Sequence, residues 1–366
     1  MRALLIVPLP PPITGHSLAS QMLVDGLAGV HRTEVVNLSV GSLNDGRVTA
    51  RRIREVGKVL MAVWRRKGRA DAIYFTISES RAGNLKDLII YVLCLGRLKR
   101  MFVHLHGGTI GRELFDRHPA WRTVNAWFIK RLGGVIVSGP SHVGIFAGMI
   151  DQRRIHTVPN SAGEELFVEE RDVLEKFASA EPLRVLYISS MTPQKGYLDL
   201  LEGWLCLEHD MRRRIQLDFA GRFDSDSDRA SFQDRIAGVE GVRYHGLVDQ
   251  DQKRRLFAQA HVFCLPTRMF EGQPISILEA YAAGCAVMTT GQRGIRDVFG
   301  DGVNGFEVPE GSGSGIAVVL ASAVKDVNRL REMALENRRT AGERYHPATF
   351  TAALTRILEG ERAEAR

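Results

Sequence analysis

Strand-like apolar segments alternate with helical patterns along most of this 366-residue chain. Runs such as RALLIV, AIYFTIS and RMFVHLHGG each lead into a loop with proline, serine or glycine, and a helical spacing of apolar residues follows. Strands that alternate with helices run parallel, because each crossover helix returns the chain to the same edge of the sheet. The sequence therefore predicts an α/β fold built on doubly wound parallel sheets.

The alternation restarts at LRVLYISS (183–190), after a charged stretch from residue 168 to residue 180. A chain of this length is also longer than a single hydrophobic core usually supports. We predict two Rossmann-like domains that face a cleft, an acceptor-binding domain at 1–175 and a nucleotide-sugar-binding domain at 176–345. The helical segment 346–366 is a candidate to pack back on the first domain.

Several classes of protein are disfavoured by the sequence. MRALLIVPLPPP breaks into prolines after five apolar residues, which does not fit a secretory signal peptide. The longest apolar run, LIIYVLCLG, is far short of the ~20 residues that span a bilayer. The four cysteines lie far apart among apolar neighbours, as is typical of reduced thiols. We therefore expect a cytoplasmic protein.

The segment FEGQPISILEA places two glutamates eight positions apart. Glu271 falls just after the strand-like run HVFCLP, and Glu279 lies over one turn into the next helix. Gly272 permits a tight turn, and Pro274 suits the first position of a helix. The start of a helix attracts an anion such as a diphosphate, and a carboxylate beside it can accept both hydrogens of a ribose diol. From the spacing alone, an amphipathic helix with an exposed Glu279 remains an equal alternative.

A second strand–loop–helix unit, YISSMTPQKG, puts Lys195 at the start of a helix. A lysine there can neutralise phosphate oxygens. The attraction is on the order of 4 kcal/mol at ~4 Å and an effective dielectric near 20, before desolvation. A solvated surface lysine would lie at the unfavourable end of the helix dipole, so the pattern favours phosphate binding.

These two segments together resemble the retaining glycosyltransferases of family 4, which have the GT-B fold. The family's lysine–glycine pair is met by Lys195–Gly196. Its Glu-Gly-x-Pro-x-x-x-x-Glu-Ala pattern is met by residues 271–280, and the resemblance covers most of 181–312. It implies that Glu279 holds the ribose, Glu271 contacts the donor sugar and Lys195 binds the diphosphate. The helix start, which comprises Gly272, Gln273, Pro274 and Ile275, would hold the same negative charge.

The chain departs from the family's pattern at Ser190, where an arginine is common. A hydroxyl does not replace a bidentate guanidinium. Either Ser190 and neighbouring backbone amides are sufficient to bind the diphosphate, or another cation such as Arg222 or Arg268 takes part, and the sequence leaves both options open.

In the first half the resemblance is looser. Gly15 fits the family's Gly-Gly loop, which approaches the donor phosphates, but His16 stands where a second glycine is common. His106, in HLHGG, matches the family's strand-end histidine near the donor sugar. A hydrogen-bonded structural histidine at a strand end is the alternative for His106.

The expected reaction is transfer of a sugar from a UDP- or GDP-linked donor to an acceptor hydroxyl, with the retention that the resemblance implies, in cell-surface polysaccharide or glycolipid synthesis. We expect no cofactor and no metal. The acidic run FDSDSD fails as a calcium loop because Arg229 and Arg235 occupy the positions of the required glycine and glutamate. Its aspartates are interpreted as helix caps. A sugar-nucleotide epimerase or hydrolase of the same fold, or a non-catalytic nucleotide-binding protein, is the alternative.

Residues 47–69 contain nine Lys and Arg and one acidic residue, with apolar residues interleaved at helical spacing. Such a basic amphipathic helix suits an anionic membrane surface, and a solvated helix face is the alternative. No nucleic-acid-binding motif accompanies it, so nucleic acid is not an expected partner. A lipid-linked sugar acceptor would place the protein at the inner face of the membrane.

Overall fold

The computed structural model describes residues 1–12, 14–39 and 50–360, and the chain divides into two compact units. Unit 1 comprises Met1–Asn160, Glu271–Gln273 and Pro347–Arg366. Unit 2 comprises Ser161–Phe270 and Pro274–His346. Each unit contains one parallel six-stranded sheet, so the predicted α/β fold with two Rossmann-like domains is confirmed.

The sheet of unit 1 has the strand order β2-β1-β3-β4-β5-β6. Its strands are β1 (Arg2–Val7), β2 (Arg32–Asn37), β3 (Ala72–Thr76), β4 (Met101–Leu105), β5 (Gly134–Val137) and β6 (Ile155–Thr157). The helices of its first part are α1 (Gly15–Ala28), α2 (Ala50–Arg66), α3 (Arg81–Leu93) and α4 (Pro119–Ile129). The central strands β3 and β5 are buried along their whole length, which explains why they read as continuous apolar runs.

The sheet of unit 2 has the strand order β12-β11-β10-β7-β8-β9. Its strands are β7 (Leu183–Ile188), β8 (Ile215–Ala220), β9 (Val242–Tyr244), β10 (Val262–Leu265), β11 (Ala286–Thr289) and β12 (Gly305–Glu307). Its helices are α5 (Glu170–Ala178), α6 (Tyr197–Leu205), α7 (His209–Arg213), α8 (Asp226–Ile236), α9 (Gln250–Gln259), α10 (Ile275–Ala282), α11 (Arg293–Arg296), α12 (Gly313–Lys325) and α13 (Val327–Arg344).

The order of strands reverses once in each sheet. In unit 2 the chain runs outward from β7 through β8 to β9, then crosses back to β10, which pairs with the other side of β7. Ligands of open α/β sheets bind beyond the carboxyl ends of the strands at such a reversal. The loops that follow β7 and β10 are therefore the expected place for a ligand of unit 2.

The division between the units lies earlier in the chain than the predicted boundary at 175. Val173 and Phe177 of α5 belong to the same hydrophobic core as β7 and β10, and the backbone of Val168 donates a hydrogen bond to Ala282 of α10. Because the outer face of α5 is charged, the sequence of this segment is similar to that of a linker between domains. Its buried face assigns it to unit 2.

The C-terminal segment forms α14 (Pro347–Leu358), which lies in unit 1. Gly26 of α1 lies against Thr351, since a β-carbon at this glycine would stand 2.5 Å from the Thr351 hydroxyl oxygen. His31 lies 3.4 Å from Glu359. Helix α14 therefore packs on α1, the first helix of the same unit.

The basic segment predicted at 47–69 forms α2 and the short 3-10 helix Lys67–Arg69. Its residues 47–49 lie outside the described residues. Val59 and Val63 are buried, whereas Met61 and Trp64 are exposed. Among the described residues, no helix has the length and apolar character needed to cross a bilayer.

Candidate functional site

The loop after β7 carries Lys195 on a tight turn of unit 2. Residues Pro193–Lys195 form one turn of 3-10 helix, and Gly196 follows in the left-handed region with φ +80° before α6 begins. A β-carbon at Gly196 would stand 2.0 Å from the Pro266 carbonyl oxygen. Glycine is therefore required here for both its conformation and its close approach to the loop after β10.

Arg268, in the loop after β10, is bound to the same turn. Its backbone N–H donates to the Gln194 carbonyl at 2.7 Å, and its guanidinium donates to the Pro193 carbonyl at 3.3 Å. Its Nε lies 3.4 Å from Asp199 of α6, and its side chain keeps 41% of its surface exposed. Burial raises the pKa of Asp199, and Arg268 opposes that shift. Unit 2 thus holds two cations, Arg268 and Lys195, on interlocked loops at its switch point.

This placement bears on the two options left open at Ser190. Ser190 is exposed, and its carbonyl accepts a hydrogen bond from the Tyr187 hydroxyl at 3.0 Å. Arg222 is also exposed, and its carbonyl accepts from the backbone of Met191 at 2.9 Å. Of the two arginines, Arg268 is the one whose side chain hydrogen-bonds the turn that carries Lys195. The geometry therefore favours Arg268 as the additional cation.

Glu279 lies in α10 with only 5% of its side chain exposed, and it forms an ion pair with Lys253 of α9. Pro274 caps α10 and Ile275 is its first helical residue, one position later than predicted. The helix starts on the chain segment that follows Arg268, so its free N–H groups lie at the carboxyl end of β10. The expectation that Glu279 is exposed on an amphipathic helix is excluded for this residue.

The segment Glu271–Gln273 belongs to unit 1, where Gly272 lies against the carbonyl oxygen of His106. A β-carbon at Gly272 would stand 2.2 Å from that oxygen. Gly272 lies at a bend of the chain and does not have a positive φ, so the glycine is required by its close contact and not by its backbone conformation. The side chain of Gln273 accepts from the Asn160 N–H at 2.5 Å and donates to the Ser138 carbonyl at 3.2 Å.

His106 lies at the carboxyl end of β4 within a cluster of aromatic rings. It stacks on His104 with ring centroids 3.9 Å apart, and His16 meets it edge-on at 4.8 Å. Its Nδ1 lies 3.2 Å from Asn160 Oδ1, while the Tyr74 hydroxyl lies 2.6 Å from His104 Nδ1. The position of His106 is thus compatible with both predicted roles. It lies at a strand end, as a residue that contacts the donor sugar would, and it is hydrogen-bonded, as a structural histidine would be.

Burial keeps these imidazoles neutral. It lowers the pKa of His16 to about 4 and that of His104 to about 3. The pKa of His106 is lowered well below its ordinary value by burial first, and then by His104 and His16. Gly15 is exposed and is the first residue of α1, whose N-cap is Thr14.

The acidic run FDSDSD begins α8, but its aspartates do not cap the helix. Ser225 is the N-cap, and its hydroxyl accepts from the Asp228 N–H at 3.0 Å. Asp226 lies in the first turn and pairs with Arg229. The interpretation of the aspartates as caps is therefore wrong in detail. Across the described ranges, no three His, Cys, Asp or Glu side chains lie where they could hold a metal ion.

The sequence does not indicate two residues that contact candidate side chains, one in each unit. Lys253 is one of three consecutive basic residues of α9, and nothing in its spacing indicates a buried partner in α10. Asn160 is separated from Gln273 by 113 positions. Both residues act on predicted site residues from other elements, which is information that a local pattern does not carry.

Comparison with known families matches residues 182–326 to the Glycosyl transferases group 1 model. A phosphatidyl-myo-inositol mannosyltransferase of Mycobacterium leprae is 31% identical over 172 residues, which are 46% of this chain and 43% of that protein. The O-antigen chain mannosyltransferase B of Escherichia coli is 30% identical over 145 residues, 39% of this chain and 36% of the relative. The matches span less than half of the length of these curated relatives.

Solved structures match over nearly the whole chain at low identity. HepE of Anabaena, solved in complex with UDP-glucose, superposes with a TM-score of 0.72 at 15% identity, covering 98% of this chain and 100% of that one. A glycosyltransferase of Rickettsia africae gives a TM-score of 0.72 at 15% identity, over 100% and 99% of the two chains. The chain thus has the fold of the GT-B glycosyltransferases, and its residues 182–326 form a glycosyl transferases group 1 domain.

Proposed function

We propose that this protein transfers a glycosyl group from a nucleotide diphosphate sugar to an acceptor hydroxyl. The observation that carries the proposal is the arrangement at the switch point of unit 2. Two cations, Lys195 and Arg268, sit on interlocked loops after β7 and β10, and the buried carboxylate of Glu279 follows in α10. Cations suit a diphosphate, and a carboxylate that only accepts hydrogen bonds suits the diol of a ribose.

In the proposed reaction the bond between the anomeric carbon and the diphosphate oxygen breaks, and the electron pair leaves with the diphosphate. Lys195, Arg268 and the N–H groups at the start of α10 stabilise this growing charge. Loss of one such preorganised donor typically costs ~10²–10³ in rate. The acceptor oxygen forms the new bond to the anomeric carbon, and its proton passes to the departing phosphate.

We further propose that the configuration at the anomeric carbon is retained, with attack from the face that the diphosphate leaves. A double displacement would need a carboxylate beneath the anomeric carbon. Glu271 is the carboxylate that the resemblance assigns to the donor sugar, and its proposed role there is contact and not nucleophilic attack. His106 contributes a neutral ring to the same contact. The mannosyltransferase names of the curated relatives and the UDP-glucose of the HepE complex support a hexose donor linked to GDP or UDP.

The test of the ribose role is Glu279→Gln, measured by calorimetry with UDP, GDP, ADP and NAD on the full chain. The amide keeps the shape of the carboxylate but places N–H groups where the diol donates, so we expect about tenfold or greater loss of affinity for the preferred nucleotide. Glu336→Gln, which removes a surface partner of Arg339, is the control and should bind like the parent protein. Unchanged nucleotide binding by Glu279→Gln would contradict the assignment.

The same measurements separate the alternatives. A transferase consumes the donor faster when an acceptor is present, whereas an epimerase or hydrolase turns it over without one. A non-catalytic binding protein retains the donor unchanged. Incubation with radiolabelled UDP- and GDP-hexoses, with and without membrane lipid extract, identifies both the donor and a lipid-linked acceptor.

We also propose that unit 1 docks on an anionic membrane surface through α2. Arg54, Lys58 and Arg65 are exposed on this helix, and so are the apolar side chains of Met61 and Trp64. Basic residues near an anionic surface contribute about 1 kcal/mol each. Replacing the three basic residues with glutamine should release the protein from anionic vesicles in sedimentation. Equal binding of the parent protein to neutral vesicles would contradict the electrostatic part of this proposal.

A further inference from the structure

We infer that Asn160 is a positioning residue that holds His106 in a single tautomer and fixes the 271–273 segment against it, so that His106 Nε2 accepts from a hydroxyl group. The part of this inference that concerns the bound hydroxyl group rests on the proposed glycosyl transfer. Asn160, His106 and Gln273 are all buried, and all belong to unit 1.

The first step is the orientation of the Asn160 amide. Its Nδ2 lies 3.0 Å from the backbone carbonyl oxygen of Gln273, which can only accept, so the NH₂ group must face Gln273. Its Oδ1 then faces Nδ1 of His106 at 3.2 Å. Reversing the amide would place Oδ1 of Asn160 against the carbonyl oxygen of Gln273, and neither of these oxygens carries a hydrogen to donate. The hydrogen-bond network therefore assigns the orientation without ambiguity.

The second step is the tautomer of His106. Asn160 Oδ1 carries lone pairs and no hydrogen, so the hydrogen bond requires that His106 Nδ1 carries the proton. A neutral imidazole protonated at Nδ1 presents a lone pair at Nε2. The Tyr74 hydroxyl lies 3.5 Å from Nε2 but only 2.6 Å from His104 Nδ1, which is its closer partner.

Neutrality of the ring has a physical cause of its own. His106 is buried against His104 from β4 and His16 from α1, so a second proton would place a positive charge beside two further imidazoles in a poorly solvated place. Burial and these two neighbours lower the pKa of His106 well below its ordinary value, and only Asn160 acts in the opposite direction. A neutral ring with a lone pair at Nε2 does not bind a phosphate oxygen. The group it takes is a hydroxyl, as a sugar offers.

The third step concerns the segment that carries Glu271. The N–H of Asn160 donates to the Gln273 side chain at 2.5 Å, and that side chain also donates to the carbonyl of Ser138 at 3.2 Å. Gly272 meanwhile lies against the His106 carbonyl too closely for any β-carbon. One side chain, Asn160, therefore links the imidazole and the backbone of 271–273. Its loss should disturb both together.

Three variants of the full chain test this. Asn160→Leu removes the side-chain hydrogen bonds. Asn160→Asp keeps an acceptor for His106, adds a negative charge and loses the donor to Gln273. Asn125→Leu is the matched control, because Asn125 is also a buried asparagine of unit 1 and its amide bonds Asn84 at 2.9 Å, away from the histidine cluster.

The decisive readout is the nitrogen NMR spectrum of protein labelled with ¹⁵N-histidine, with the His106 signals identified by their loss in His106→Gln. We expect a proton on Nδ1 and a lone pair on Nε2 at pH 7 in the parent protein and in Asn125→Leu. Asn160→Leu should lose this single tautomer. A parent spectrum that shows His106 protonated at Nε2 or charged at pH 7 overturns the inference.

The kinetic readout follows from the same reasoning. Asn160→Leu should lower kcat about tenfold, which corresponds to one hydrogen bond of about 1.4 kcal/mol. Asn160→Asp should add an acidic limb to kcat/KM, because its carboxylate favours protonated His106. A merely structural asparagine would add no such limb, and its absence overturns the inference. If no donor supports transfer, the proposed function fails, while the NMR result still decides the tautomer.

Discussion

Replacing Lys253 with methionine should destabilise unit 2 in a way that depends strongly on pH. The substitution keeps the length of the side chain but leaves the buried carboxylate of Glu279 without the cation that pairs with it. Breaking a buried ion pair from one side typically costs ~3–5 kcal/mol, because the remaining charge stays in a poorly solvated place. Lys253 keeps 18% of its side chain exposed, so water can partly replace it.

Protonation of Glu279 would also reduce the loss of stability in Lys253→Met. An unpaired carboxyl group can avoid its buried charge by taking up a proton, and this becomes less costly as the pH falls. We therefore expect a loss of about 3 kcal/mol at pH 7 that becomes smaller at pH 5.

Urea denaturation of the full chain measures this loss if the signal comes from unit 2. Trp204 is the one tryptophan of unit 2 in the sequence, and it is buried, with its indole N–H donating to the Ile215 carbonyl at 3.2 Å. A background with phenylalanine at positions 64, 121 and 127 leaves Trp204 as the fluorescent probe. Because that background is common to all variants, differences between them report on Lys253.

Arg339→Met provides the control, since Arg339 pairs with Glu336 and Glu343 while most of its side chain is exposed. Exposed pairs contribute little, so its denaturation midpoint should stay near that of the parent at both pH values. The reasoning is refuted if Lys253→Met loses no more stability than this control, or if its loss is equal at pH 5 and pH 7. Lys253→Met should also weaken nucleotide binding, because the Glu279 carboxylate loses the cation that holds it in place.

Three further outcomes are expected. Gly196→Ala should cost several kcal/mol in urea denaturation, because φ is +80° and the new β-carbon would stand 2.0 Å from a backbone oxygen. Gly342→Ala, in the last turn of α13 with open space around it, should instead gain ~0.5 kcal/mol. The pKa of His104 in the folded protein is about 3, below its value near 6.5 in the unfolded chain. The neutral His104 side chain therefore contributes its full stabilisation above pH 6.5, and this contribution declines as the pH falls toward 3. His104→Gln should make the free energy of unfolding less dependent on pH in this range. Arg268→Met should weaken UDP or GDP binding in calorimetry more than Arg222→Met does, and equal effects would contradict the favoured role of Arg268.

The elements that could be predicted from the sequence are those whose signal is local. A run such as VFCL in β10 is buried on both faces, and burial on both faces leaves a continuous apolar run that needs no partner to be recognised. The turn that carries Lys195 is equally local, since Gly196 marks the end of a 3-10 turn and the start of α6. Glu279 could be placed one turn into its helix for the same reason.

The parts that could not be predicted depend on contacts between distant segments. The role of Gly272 follows from its approach to His106, which is far away in sequence, and not from its own φ. The position of α5 follows from two buried side chains, Val173 and Phe177, set in an otherwise charged stretch. A pattern of polarity shows that such residues are unusual for their surroundings but does not show what they pack against.

A common arrangement links the three candidate side chains that the structure describes in most detail. Glu279 is paired with Lys253, Arg268 with Asp199 and His106 with Asn160, and each partner comes from a different element. A buried polar group without its partner is costly, so these partners hold the candidate residues in one orientation before any ligand binds. Substituting a partner therefore changes the charge or tautomer of a candidate residue without removing it. If a partner variant alters nucleotide affinity or the pH profile while the surface controls do not, the candidate residue that this partner holds takes part in ligand binding.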